Sequence, residues 1–152
     1  MSRHSLAGFL GRHQKIGIDT SVFIFEVEAN PKYVELVHPI FQWMEKPASQ
    51  AVTSTVTILE LLVQPYRRAD LDTVNKFYAL LSTHPNLRWV ELTLPVADAA
   101  AGLRAEFNLK TPDAIQVASA LALQATGFIS NDPAFKRLEK LDILILDDLL
   151  PS

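Results

Sequence analysis

No cysteine occurs in the sequence, which excludes a disulfide framework and any zinc–thiolate centre and points to a cytoplasmic protein. Long apolar runs are missing as well. The most apolar stretch, residues 114–130, is broken by Gln116, Gln124 and Gly127 and ends in Asn131-Asp132. A membrane-spanning helix needs about 20 mostly apolar residues, so no membrane association is expected. Leu6 to Leu10 is too short for the apolar core of a signal peptide, and no small-residue cleavage site follows it. Histidine is scarce: His4, His13, His38 and His84 show no paired ligand spacing and read as surface or loop residues. A basic excess is absent too, with 14 Lys and Arg against 17 Asp and Glu and a formal net charge of −3. That balance argues against bulk electrostatic attraction to nucleic acid, though not against a local basic patch.

What remains is an ordinary globular composition, 49% apolar and 20% charged, in a chain of 152 residues. Such a length supplies one domain with a substantial core. No repeat, low-complexity segment or linker divides it. Residues 1–14 are expected to be a polar, partly ordered N-terminal extension, and residues 15–150 a single domain.

Short β-type runs alternate with longer helical patterns. Strands are expected at Lys15 to Ile18, Gln50 to Thr53, Leu87 to Leu92, Gly127 to Ser130 and Ile143 to Leu146. Between them lie helical patterns at Val22 to Glu28, Pro31 to Glu45, Thr55 to Gln64, Asp70 to Leu81 and from Pro95, where Val96, Ala99, Ala100, Leu103 and Phe107 share a face. Pro65 is expected to end the helix before it. A further helix begins at Thr111-Pro112, with Thr111 as its N-cap, and a short one spans Pro133 to Leu138. Strands joined by helical crossovers predict a mainly parallel sheet covered on both faces. On the helix from Tyr33 to Met44, Val34, Val37 and Phe41 are expected to pack into the core, with a dimer contact as the alternative.

Four carboxylates stand in awkward places. Asp19 follows the apolar strand and precedes Val22-Phe23-Ile24-Phe25. Glu60 interrupts Ile58-Leu59-Leu61-Leu62, Asp113 opens an apolar helix, and Asp132 follows the strand Phe128-Ile129-Ser130. Each has a structural explanation of its own. Asp19 and Asp132 suit turns and caps, Asp113 complements a helix dipole, and Glu60 falls on a polar stripe with Thr53, Thr57 and Gln64. Taken together they invite another reading, because a parallel sheet can gather such positions at its carboxyl edge, where ligands bind in open α/β folds. Clustered carboxylates raise one another's pKa and call for a compensating cation; hard oxygen donors without cysteine favour Mg²⁺ or Mn²⁺.

These residues also carry a resemblance. Gly17-Ile18-Asp19-Thr20-Ser21-Val22-Phe23-Ile24, Thr57-Ile58-Leu59-Glu60-Leu61-Leu62, Thr111-Pro112-Asp113-Ala114 with Ala118-Ser119-Ala120-Leu121, and Ser130-Asn131-Asp132 follow one another in an order that resembles PIN domains. Within that superfamily the chain is similar to the VapC-type toxins of toxin–antitoxin pairs, from about Lys15 to Leu150. The resemblance implies a three-layer α/β/α sandwich with a mainly parallel sheet of about five strands. It implies a divalent-metal-dependent endoribonuclease that uses Mg²⁺ or Mn²⁺ to hydrolyse phosphodiester bonds. Asp19, Glu60, Asp113 and Asp132 would be its acidic, metal-binding quartet, and Thr20 and Ser130 its supporting hydroxyls. The partners implied are RNA, a cognate antitoxin and a second copy of the chain. A PIN nuclease of RNA processing or structured DNA, and a catalytically silent binding module, are the competing readings.

Setting the quartet aside leaves thirteen acidic residues against fourteen basic ones. Contacts to RNA are then expected from local cations such as Arg67, Arg68, Arg104, Lys110, Lys136 and Arg137. Gln116, one turn after Asp113, is either a helper of the quartet or a polar break in a buried helix.

Overall fold

Gly17 explains why the sheet can close tightly at its centre. The computed structural model describes residues 5–151, and five strands run through it: β1 (Lys15–Ile18), β2 (Gln50–Ser54), β3 (Leu87–Val90), β4 (Gly127–Ser130) and β5 (Asp142–Ile145). They form one wholly parallel sheet in the order β3-β2-β1-β4-β5. Gly17 sits mid-strand in β1 with its missing side chain toward the helical layer: a Cβ there would stand 2.5 Å from Phe128 Cδ2 and 2.8 Å from Ala120 Cβ. The chain moves outward from β1 to β2 and β3 on one side and to β4 and β5 on the other. β1 and β4 therefore flank the topological switch point, the crevice where open α/β sheets bind ligands.

Among the described residues, seven helices surround the sheet: α1 (Leu6–Arg12), α2 (Thr20–Val27), α3 (Val34–Met44), α4 (Val56–Arg67), α5 (Leu71–Ser82), α6 (Leu94–Phe107) and α7 (Thr111–Ala122). Two 3-10 turns, Pro133–Arg137 and Leu146–Leu149, complete the chain. One core gathers Ile16, Ile18 and Ile129 with Val22, Phe23, Phe41, Leu61 and Phe77, so α2 to α5 lie against one face. The other gathers Phe128 and Ile145 with Leu103, Ala114, Val117 and Phe135, so α6 and α7 lie against the opposite face. This is the expected three-layer sandwich. The alternation of Ile129 and Phe128 between the two cores is the period of two that a strand covered on both faces must show.

Several local expectations fail for identifiable reasons. Pro65 does not end α4, which continues to Arg67 with Pro65 buried inside it. Proline forfeits only its own bond to the carbonyl four residues earlier. The turn beyond it is held by Arg68 N–H to Gln64 O and Asp70 N–H to Pro65 O. Thr111 is not the N-cap of α7; Lys110 holds that position without a side-chain cap, and Thr111 Oγ1 instead accepts from Arg104 Nη1 at 3.0 Å. On α6, Val96, Ala100 and Leu103 are buried, but Ala99 faces solvent. The polar stripe breaks up: Thr53 lies on β2, and Thr57 is fully buried while Glu60 and Gln64 are exposed. Val37 and Phe41 of α3 are buried in the core, as the packing reading requires.

The lead-in contains a helix. Leu6–Arg12 forms α1, capped by Ser5, and Phe9 is 1% exposed among the core side chains. His13 lies in the loop between α1 and β1, but its side chain is largely buried. Its ring is clasped between Thr126 Oγ1 and Asp142 Oδ2, both at 2.7 Å, while Arg12 reaches the same carboxylate at 2.9 Å. His4 lies outside the described residues. Among those described, no helix is long and apolar enough to cross a membrane.

Candidate active site

Strand ends decide where the acids go. Asp19 is the residue after β1 and the N-cap of α2: its Oδ1 accepts from Thr20 N at 2.9 Å. Asp132 lies two residues past the neighbouring β4 and caps the following 3-10 turn through Ala134 N at 2.9 Å. Both capping roles read from the sequence are therefore real. Asp113 occupies the first turn of α7 and Glu60 the second turn of α4. The helix dipole favours a carboxylate at the first of these positions.

Two hydroxyls link the acids. Ser130 Oγ donates to Asp19 Oδ2 at 2.6 Å and accepts from Asp132 N at 3.0 Å, so one side chain ties the ends of β1 and β4 together. Thr20 Oγ1 donates to Glu60 Oε1 at 2.8 Å. Thr20 and Ser130 are themselves buried.

Thr20 joins Asp19 to Glu60, and Asp113 and Asp132 line one cleft. Burial pushes the Asp19 carboxyl up to about 6; hydrogen bonds from Ser130 and Thr20 oppose this, and the charges of Asp113 and Glu60 add to it. Burial likewise raises Asp113 to about 6, reinforced by Asp132 and Glu60 and opposed by Lys110. No cation is among the groups that act on Asp19. The residues thus fit a divalent ion chemically: four hard oxygen donors from four elements, with no cation acting on Asp19 and Lys110 the only one acting on Asp113. Among the described residues, however, no three His, Asp or Glu groups stand close enough to form a finished cage.

Beneath the acids lies a polar network whose extent the sequence did not show. Gln116, 2% exposed, donates through Nε2 to Thr57 Oγ1 at 2.6 Å and to Thr20 Oγ1 at 3.4 Å. Its Oε1 accepts from Ser54 N at 3.1 Å. Thr53 Oγ1 donates to Ile18 O at 2.9 Å, so the 2.6 Å contact between Thr53 and Thr57 hydroxyls has Thr57 as its donor. A buried amide must find partners, and that rule was the available signal; which partners it finds depends on strand order. Asn131, to which the sequence assigned no role, accepts from Asp147 N at 2.8 Å and fixes the turn that carries Asp132.

Asp113 and Asp132 open onto a cleft of about 380 Å³ that Arg104, Lys110 and Arg137 also line. A larger cleft of about 660 Å³ between α1 and α3, around Leu10, Pro39 and Trp43, is lined mainly by apolar groups and none of the four acids. Chemistry rather than size therefore selects the smaller cleft.

Comparison with known proteins bears on the fold and the family. No curated protein sequence matches the chain significantly. Among solved structures, the chain is similar to VapBC2 from Rickettsia felis bound to a DNA fragment from their promoter, with TM-score 0.65 and 15% identity, covering 85% of this chain and 96% of that one. It is also similar to a toxin–antitoxin complex from Klebsiella pneumoniae, with TM-score 0.62 and 19% identity over 84% of this chain and 94% of the other. DNA-bound VapBC from Salmonella typhimurium gives TM-score 0.62 and 16% identity over 88% and 98%. At such identities these likenesses establish a shared fold. The family model for the PIN domain matches residues 16–141, the greater part of the sequence, and the chain belongs to the PIN domain family.

Proposed function

We propose that the protein is a divalent-metal-dependent endoribonuclease of the cytoplasm and the toxin of a toxin–antitoxin pair. The observation that supports this most is the convergence of Asp19, Glu60, Asp113 and Asp132 at the carboxyl edge, with Asp19 and Asp113 both raised to about 6. These four would hold Mg²⁺ or Mn²⁺. When bound, the ion supplies a Lewis acid that acidifies water and offsets charge developing on a phosphodiester.

The chain's own residues divide the work of holding and orienting. Asp19 is the rigid member, fixed by Ser130 and by its own cap to α2. Glu60 is steered by Thr20, which rests in turn on Gln116. Asp132 is placed by the Ser130 and Ala134 bonds. Asp113 and Asp132, both partly buried and lining the cleft, are placed to meet substrate.

A toxin–antitoxin complex and two VapBC assemblies are among the solved structures similar to this chain, which supports an antitoxin as partner. Leu59 and Tyr66 on α4 and Leu71 and Tyr78 on α5, each about half exposed or more, support self-association through that face rather than through α3. Light scattering of a Leu59→Lys/Leu71→Lys variant should then report a monomer where the wild type is a dimer.

Incubating the purified chain with RNA and Mg²⁺ or Mn²⁺ tests the central reading. Cleavage should appear with either ion, vanish in EDTA and return on re-addition. Asp113→Asn should keep the fold and lose several kcal/mol of transition-state stabilisation, on the order of 100-fold or more in rate. Cleavage that resists EDTA, or normal cleavage by Asp113→Asn, would sink the assignment.

A further inference from the structure

The cleft beside Asp113 and Asp132 has a second half made of cations, contributed by α6 (Arg104), the head of α7 (Lys110) and the turn after β4 (Arg137). The other three cations considered from the sequence lie outside its lining. Arg67 and Arg68 stand at the far end of α4, two turns beyond Glu60, with Arg68 4.0 Å from Asp70. Lys136 is paired with Asp148 at 2.8 Å. Among the described residues, Arg104, Lys110 and Arg137 have no ion-pair partner.

The two arginines are nonetheless held in place. Arg104 Nε donates to Leu109 O at 2.9 Å and its Nη1 to Thr111 Oγ1 at 3.0 Å. Arg137 Nη1 donates to Phe107 O at 3.3 Å and Asn108 O at 3.1 Å. Both therefore brace the connection between α6 and α7, where Asn108 is left-handed at φ 54°. A guanidinium has five N–H donors, so each keeps several unused. Ordering an arginine side chain costs conformational entropy. Here that cost is met by neutral acceptors, leaving the positive charge unneutralised and its remaining donors fixed at the cleft. Such an arrangement suits an anion that arrives from outside. Three cations from three elements fit the repeated charges of a phosphodiester chain better than one side-chain carboxylate. Arginine forks match phosphate oxygens in pairs, and lysine adds a point charge.

We propose that the Arg104–Lys110–Arg137 half of the cleft is a subsite for consecutive backbone phosphates of single-stranded RNA, next to Asp113 and Asp132. The assignment rests on the nuclease function proposed above. It selects three cations among the six and gives the other three no part in holding the strand.

Anisotropy of a fluorescein-labelled single-stranded RNA oligonucleotide, titrated with protein in EDTA at a series of KCl concentrations, tests the subsite without cleavage. Each cation that neutralises a phosphate of a single strand contributes about 0.7 to the slope of log K against log salt. Lys110→Gln should reduce the slope by about 0.7, and Lys110→Gln/Arg137→Gln by about twice that, while Arg67→Gln leaves it unchanged. Lys110 makes no side-chain hydrogen bond in the fold, so the single variant decides the question even where loss of Arg137 unfolds the α6–α7 brace. An unchanged slope in Lys110→Gln overturns the proposal, as does an equal loss in Arg67→Gln or a failure of the wild type to bind RNA at low salt. A Glu-rich peptide that loses affinity on Lys110→Gln while the RNA slope stays fixed would assign the cleft to an acidic protein partner instead. The expected slope loss without metal-dependent cleavage would overturn the nuclease reading alone; cleavage with an indifferent slope would overturn the subsite alone.

Discussion

Between about pH 3.8 and 6, Asp19 takes up a proton on folding when no cation is bound, because burial raises its carboxyl from 3.8 to about 6. The folded state then binds more protons than the unfolded one, so this residue's contribution to stability falls as pH rises from 3.8 to 6. Above that window the buried carboxylate costs up to about 3 kcal/mol. Asp113 acts in the same sense, discounted because it is only half buried. Asp19→Asn should therefore raise the melting temperature in EDTA at pH 7.5, by an amount that shrinks toward pH 4. Asparagine still caps a helix, so α2 keeps its start. Melting curves of variant and wild type at matched pH isolate the effect, since Asp70, Asp142 and Asp147, which are shifted downward, contribute equally to both. A variant no more stable than wild type at pH 7.5 would mean that the charge of Asp19 is already balanced. Mg²⁺ should raise the wild-type melting temperature more at pH 7.5 than at pH 5. Three of the acids were legible as strand-end and helix-start carboxylates, and Glu60 as a break in an apolar helix. Their mutual distances were not, because those depend on which strands are neighbours.

At the scale of elements, β1 and α7 meet through residues chosen for size and for polarity. Gly17 pairs with Val52 and Phe128 in the central strand and leaves room for Ala120. Gly17→Ala should overpack this contact and cost about 1–3 kcal/mol in urea denaturation; a neutral result would show that α7 can retreat freely. Gln116→Met tests the polar side of the same packing. It removes an acceptor from Ser54 N–H and a donor to Thr57. The stranded buried N–H should cost about 1–3 kcal/mol, with cleavage falling further than stability alone requires because Thr20 loses its support for Glu60. Periodicity located nearly every strand and helix here, since a sheet covered on both faces writes apolar runs that turn residues bracket. It misplaced the details that depend on partners: the start of α7, where Arg104 claims the Thr111 hydroxyl, and the passage of α4 through Pro65.

Across the whole molecule, the reading that fared least well concerned the residues before β1. Leu6, Phe9 and Leu10 have the spacing of one helical face, yet the polar residues around them suggested a polar lead-in only partly ordered. In the fold, Phe9 is buried at the amino edge of the sheet, 2.8 Å from where a side chain on Gly127 would begin. Its ring also lies 4.7 Å from that of His13, which Thr126 and Asp142 hold. The family match begins only at residue 16. α1 thus packs at the end of the sheet opposite the acids, where it is expected to serve the fold rather than the chemistry. Phe9→Ala should cost about 3–5 kcal/mol, the usual range for emptying a buried aromatic site. RNA cleavage per folded molecule, measured well below the lowered melting temperature, should stay at the wild-type level. A cost below about 1 kcal/mol would make α1 a mere appendage. A loss of cleavage in molecules shown by circular dichroism to be folded would instead couple the amino edge to the site, through β1 and the Asp19 that terminates it.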